Sequence, residues 1–192
     1  MKKRLILASS SPRRIELLKN LGLEFEIIPS HYDEDMSLDL EPLELAKYLS
    51  FGKAQDVASR IDDGVIIGAD TFVIINGKIL GKPGNNENAR KMLKEINGKR
   101  ISVISGYTII DIKNNKKISN SREDFVYIKN MTQEEINNYV KTGEPLDKAG
   151  AFAIQGFGAL IVEKIEGNYH SIIGLPLFSL FEDLKDFGIN IL

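Results

Sequence analysis

Cysteine is absent from this 192-residue chain, which excludes disulfides, thiolate metal sites and a cysteine nucleophile, and fits a reducing compartment such as the cytoplasm. Histidine is scarce: only His31 and His170 occur, and Ser9, Ser10 and Ser11 have no nucleophile-elbow context, so a serine–histidine triad has little support. Neither charge is in excess. The 25 Lys plus Arg face 27 Asp plus Glu for a net charge of −2, so no global basic field points to nucleic acid or an anionic membrane. Any polyanion has to be met by a local cluster. Long apolar runs are missing as well. After Met1-Lys2-Lys3-Arg4 only four apolar residues precede the serines, too few for a signal peptide or a membrane span. The patterns G-x-x-x-x-G-K-[ST], G-x-G-x-x-G and H-E-x-x-H do not occur, so P-loop, Rossmann and zincin readings fail.

What is present is an ordinary globular composition, 43% apolar and 27% charged. The length suits one domain, which at this size buries roughly 70% of the surface its unfolded chain exposes. No repeat, low-complexity tract or linker divides it. The stretch Leu5-Ile6-Leu7-Ala8-Ser9-Ser10-Ser11-Pro12-Arg13-Arg14 organises the rest. A short apolar run, a serine turn and a proline-led apolar pattern read as buried strand, tight turn and amphipathic helix, with Ser11 as the cap and Pro12 at the first helical position. Such a helix start aims backbone donors and partial positive charge above the strand end, and Arg13 and Arg14 add two full charges there. The combination suits an anion, most simply phosphate.

The remaining elements follow the same logic. Phe25 to Ile28 reads as a second strand, and Pro42 opens a helix to about Arg60 with Leu43, Ala46, Leu49 and Val57 inward. Val65 to Ala69 is a continuous apolar run, read as a central strand covered on both faces and ending at Asp70-Thr71. Asn76-Gly77 marks a hairpin. Asn86 to Ile96 is helical, and Ile101 to Ile112 is a long strand broken by Gly106 at a bulge. It turns back at Asn114-Asn115 into Ile118 to Ile128, an antiparallel ribbon. Thr132-Gln133-Glu134-Glu135 is a capping box. Ala159 to Ile165 is a further strand, and Leu177 to Phe187 a closing helix. The alternation predicts an α/β fold in a single domain.

Asp70 is the sharpest single residue. A carboxylate directly after such an apolar run lies near the low-dielectric sheet centre, where its charge is costly unless a cation or donor answers it. Strand ends are also where open α/β sheets carry their sites. Acidic residues recur at Asp33-Glu34-Asp35, Glu144 and Asp147, and convergent carboxylates with water make a Mg²⁺ site. Arg13, Arg14, Lys53 and Lys82 form the complementary cationic half, each correctly aimed side chain contributing on the order of 1.5–3 kcal/mol to a bound phosphate chain.

Taken in order, Ser9-x-Ser11-Pro12-Arg13-Arg14, Glu34, Lys53, Gly68-Ala69-Asp70-Thr71, Lys82-Pro83, Glu144 to Ala151, Gln155-Gly156 and Gly174-Leu175-Pro176 resemble the Maf family of nucleoside triphosphate pyrophosphatases. The resemblance implies an elongated α/β domain with a mixed, twisted sheet flanked by helices and a cleft between two lobes, similar to inosine triphosphate pyrophosphatases. It implies a divalent cation, Mg²⁺ or Mn²⁺, and hydrolysis of a nucleoside triphosphate to the monophosphate and pyrophosphate. Asp147 to Ala151 followed by Gln155 resembles the branch acting on dTTP and UTP. On this reading Asp70 is the base and a metal ligand, and Glu34 a second metal ligand. Ser9, Ser11, Arg13, Arg14, Lys53, Thr71, Lys82 and Gln155 contact substrate, with Arg13, Thr71 and Gln155 at the specificity positions. A Gln155 amide offers one donor and one acceptor to the edge of uracil or thymine. The resemblance also favours a homodimer, while the missing cysteine fits the cytoplasm and the near-neutral charge argues against nucleic acid and membrane as partners. A nucleotide-binding regulator of cell division without turnover is the alternative of a different class.

Overall fold

The structure, a computed structural model, describes residues 3–191. Its elements run β1 (Leu5–Leu7), α1 (Pro12–Lys19), β2 (Glu26–Ile27), α2 (Pro42–Ala58), β3 (Val65–Ile75), β4 (Lys78–Leu80), α3 (Asn86–Ile96), β5 (Arg100–Asp111), β6 (Lys116–Ile128), α4 (Gln133–Lys141), β7 (Val162–Glu166), α5 (Tyr169–Ile173) and α6 (Leu177–Lys185). The seven strands form a mixed sheet in the order β2-β1-β3-β5-β6-β7, with β4 paired to β3. The apolar β1 lies parallel to β3, Leu5 opposite Val65 and Leu7 opposite Ile67. Asn76 and Gly77, both at positive φ, turn β3 into antiparallel β4 with Ile75 opposite Lys78, the geometry this dipeptide favours. The connection between β5 and β6 is too short for a crossover, so this pair is antiparallel.

Several elements differ from their sequence reading. The strand does not end at Asp70: β3 continues to Ile75 because Val73 and Ile74 pair with Leu80 and Ile79 of β4. β5 runs unbroken through Gly106. A Cβ there would stand 2.6 Å from the Ala46 carbonyl, so this glycine serves close packing of α2 and breaks no strand. Leu43, expected inward, is 39% exposed. The segment Gly156–Leu160 is a 3₁₀ turn, and β7 begins only at Val162.

The chain groups into two compact units. The first holds the chain up to Asp70, Ser105–Arg122 and the stretch from Ile173 on; the second holds Thr71–Ile104 and Glu123–Ile172. In the first unit Ile6, Ala8, Ala54, Val57, Ile66 and Ile110 form a buried cluster that seats α2 on the strands. A chain of hydroxyls reinforces the seat, Ser50 to Thr108 at 2.9 Å and Thr108 to Ser119 at 2.8 Å. Pairing these buried hydroxyls with each other avoids the cost of leaving them unsatisfied. In the second unit α3 and α4 pack Leu93, Ile96, Ile136 and Val140 against Val73 and Val103. Asn85 caps α3 through Asn88, and α4 carries the complete capping box between Thr132 and Glu135.

Candidate functional site

In the first unit the turn between β1 and α1 takes its shape from Ser9. Pro12 starts the helix as its fixed φ allows, but Ser11 makes no side-chain cap. Instead the Ser9 hydroxyl accepts the Ser11 N–H at 3.2 Å, a local serine turn that competes with capping. Arg14, 8% exposed, lies beneath this turn. Its Nε donates to the Gly174 carbonyl at 2.9 Å and its Nη1 to the Ser9 hydroxyl at 3.4 Å. Burial, helped by the neighbouring Arg13 charge, holds the Arg14 guanidinium below its usual value, and the negative charges of Asp70 and Glu34 offset this only in part. Arg14 thus joins the first serine motif to Gly174-Leu175-Pro176. Arg13, next along the helix, is half-buried.

Asp70 sits in β3 at 5% exposure, and the cation its burial requires is Lys53. The Lys53 ammonium lies 2.5 Å from Asp70 Oδ1 and 2.8 Å from Glu34 Oε1. One ammonium is therefore shared by two carboxylates, one buried and one exposed on the loop before α2. Gly68 makes this possible. A Cβ at that position would fall 2.3 Å from the Ser50 carbonyl oxygen and 2.7 Å from the Ala54 nitrogen. Only a glycine lets α2 approach β3 closely enough for Lys53, next to Ala54, to reach Asp70, two residues beyond Gly68. Sequence reasoning quoted Gly68 within a motif but did not find this role.

The second unit carries the remaining predicted residues. Thr71 follows Asp70 along β3 and is half-buried. Lys82 lies exposed in the loop after β4. That loop is pinned on both sides, Gly150 N–H donating to the Gly81 carbonyl at 3.0 Å and Gly84 N–H to the Leu146 carbonyl at 3.3 Å. The Lys82-Pro83 motif and the Glu144 to Ala151 motif are thereby one structure. Gly150 and Ala151 both adopt left-handed φ, 67° and 59°, an unusual conformation for a buried alanine. They redirect the chain toward Gln155, which is exposed at the start of the Gly156–Leu160 turn. Glu144 is not the convergent metal carboxylate its acidity suggested. Its Oε2 accepts the Phe157 N–H at 2.9 Å, and its Oε1 accepts the Gly158 N–H at 2.8 Å and the Tyr139 hydroxyl at 2.9 Å. Asp147 is paired with Lys148.

Among the described residues no group of three or more His, Asp or Glu side chains could hold a metal ion alone. Glu34 and Asp70 do converge on one cation, the Lys53 ammonium. Two carboxylate oxygens facing a common positive charge match the donor chemistry of Mg²⁺ or Mn²⁺, which keeps several waters and takes other ligands from substrate phosphates. As a pair of oxygen donors the set fits a divalent ion that takes its remaining ligands elsewhere. No helix among the described residues is long and apolar enough to cross a membrane.

The sequence profile of the family described as Maf-like protein matches residues 4–187. The chain is 50% identical over 194 aligned residues to the dTTP/UTP pyrophosphatase of Caldicellulosiruptor saccharolyticus, covering 99% of this chain and 98% of the relative. It is 48% identical to the dTTP/UTP pyrophosphatase of Methanosarcina mazei, covering 98% and 96%, and 49% identical to that of a Thermoanaerobacter species, covering 98% and 100%. Among solved structures, the Staphylococcus aureus Ham1 protein matches with a TM-score of 0.53 at 16% identity, covering 95% of this chain and 100% of the other. That likeness concerns the fold.

Proposed function

This chain belongs to the Maf family, and from that premise we propose that it hydrolyses dTTP and UTP between the α and β phosphates, releasing the nucleoside monophosphate and pyrophosphate. The role is to clear such nucleotides, and modified pyrimidine nucleotides with them, from the cellular pool. The observation that carries the chemistry is the buried Asp70 carboxylate sharing Lys53 with Glu34; the relatives' names supply the substrate. Asp70 takes the proton of the water that attacks the α phosphorus in line with the departing pyrophosphate. Lys53 carries a charge that can pass from the carboxylates to phosphate oxygens as substrate arrives. Arg13 and Lys82 contribute further positive charge to the triphosphate, and Arg14 holds the Ser9 turn that meets it. Glu34 and Asp70 would hold the divalent ion, which supplies Lewis-acid stabilisation of the charge on the transferring and leaving phosphates. Gln155 reads the pyrimidine edge with one donor and one acceptor, and Thr71 supplies a second contact that separates uracil and thymine from cytosine. The absence of cysteine supports a cytoplasmic setting, and the family resemblance supports a homodimer.

The test is release of pyrophosphate in the presence of Mg²⁺ across a panel of canonical and modified nucleoside triphosphates. Preferred turnover of dTTP and UTP is expected. Tight triphosphate binding without turnover would replace the enzyme with a nucleotide-binding regulator, and strong salt-dependent binding to DNA or RNA would redirect the reading altogether.

A further inference from the structure

Gln155 reads the base in the proposed function, yet it is exposed and heads a turn containing Gly156 and Gly158. A side chain in such a place discriminates between bases only if its backbone is held to within a fraction of an ångström. The second unit holds it on both flanks. Two residues before Gln155, the Ala153 N–H donates to the Tyr139 hydroxyl at 3.2 Å. Two and three residues after it, the Phe157 and Gly158 N–H groups donate to the two oxygens of Glu144. The Tyr139 hydroxyl in turn donates to Glu144 Oε1 at 2.9 Å. Both flanks are therefore fastened to one connected pair of side chains, on α4 and just beyond its end. Gly156 is shaped to this fastening: its φ is +61° and a Cβ would stand 2.3 Å from Glu144 Oε2.

We propose that Glu144, braced by Tyr139, is a positioning residue for base selection, fixing the turn that aims Gln155 and touching no substrate itself. The proposal rests on the base-reading role assigned to Gln155 above. Its chemistry is that of a carboxylate with its acceptors committed. Each oxygen accepts an N–H of the turn, and Oε1 also accepts the Tyr139 hydroxyl, so the carboxylate fixes the loop through charge-assisted hydrogen bonds. Replacing it by glutamine sets an amide NH₂ against one of the two N–H donors, and the turn loosens on that side.

The experiment compares wild type, Glu144→Gln, Tyr139→Phe and Gln155→Ala, measuring kcat and KM for dTTP, UTP, CTP and dGTP with Mg²⁺, and hydrogen exchange at the Phe157 and Gly158 amides. For Glu144→Gln, KM for dTTP and UTP rises about tenfold, as expected for one lost charge-assisted hydrogen bond, while kcat stays within about twofold. The preference for dTTP over CTP narrows and both amides exchange faster. Tyr139→Phe shifts the same quantities in the same direction by a smaller factor, and carries the test if the first variant does not fold. A fall in kcat common to all nucleotides with selectivity unchanged overturns the proposal, as does unchanged amide exchange. If Gln155→Ala loses selectivity and Glu144→Gln keeps it, the positioning role alone falls. If Gln155→Ala keeps selectivity, the base-reading assignment falls and the proposal with it.

Discussion

In the first unit the decisive carboxylate, Asp70, is answered by the flexible ammonium of Lys53, whereas in the second Glu144 is answered by two backbone N–H groups and a phenol. Both are acidic residues in matched motifs, and the nature of the partner separates their roles. An ammonium on a four-carbon stem exchanges partners at little cost, so the Asp70–Lys53 pair is one that side-chain rotation alone can remake. Backbone amides are fixed, so Glu144 is part of the scaffold. The pairing in the first unit joins side chain to side chain, and that in the second joins a side chain to the backbone.

The comparison breaks most visibly at Asp70. Asp70→Asn keeps the size and much of the hydrogen bonding, so turnover of dTTP falls by about 10²–10⁴-fold while the thermal midpoint changes little. Steady-state kinetics beside calorimetry check this, and near wild-type turnover would remove Asp70 from the role of base. Next comes Lys53. Lys53→Met leaves Asp70 buried without its ammonium and costs about 3–5 kcal/mol if no other cation moves in. Adding Asp70→Asn to it restores much of the loss, and urea unfolding of the two single variants and the double variant measures the coupling. Gly68→Ala forces α2 away from β3 and costs about 1–3 kcal/mol by overpacking, with a parallel loss of turnover because Lys53 is carried off with the helix.

The smallest effect lies away from both sites, at Asp111. Burial pushes this carboxyl up, but the Lys3 ammonium at 2.7 Å and the Asn114 donors outweigh it and hold it below the usual value. A depressed carboxylate contributes stability above its unfolded value, near pH 3.9, and loses that contribution as pH falls through the lower folded value. Asp111→Asn should therefore lower the melting temperature by about 2–4 °C at neutral pH and by progressively less toward acid. A shift of equal size at every pH would show that the charge is not what matters.

Local signals in the chain were legible. The capping box at Thr132, the span of α3 and the Asn76-Gly77 turn stand as read, because each is decided by residues within a few positions. The ordered motif set identified the family end to end. What sequence reading misplaced depends on distant partners. β3 runs past Asp70 because of pairing with β4, Gly106 looks like strand punctuation, and Gly68 looks like one more small residue of an apolar run, until α2 is seen lying against both. Glu144 reads as a solvated or metal-binding acid because its partners are backbone groups 13 and 14 residues away, which no side-chain pattern announces. Ser11 reads as the cap, but the hydroxyl that shapes the turn is that of Ser9, which accepts both the Ser11 N–H and an Arg14 donor.

The most direct measurement is cleavage of dTTP with Mg²⁺ in ¹⁸O-labelled water, followed by mass analysis of the products. Attack of water on the α phosphorus predicts pyrophosphate and dTMP in equal amounts, with the label in dTMP. Orthophosphate and dTDP as products, or label in pyrophosphate, would contradict it.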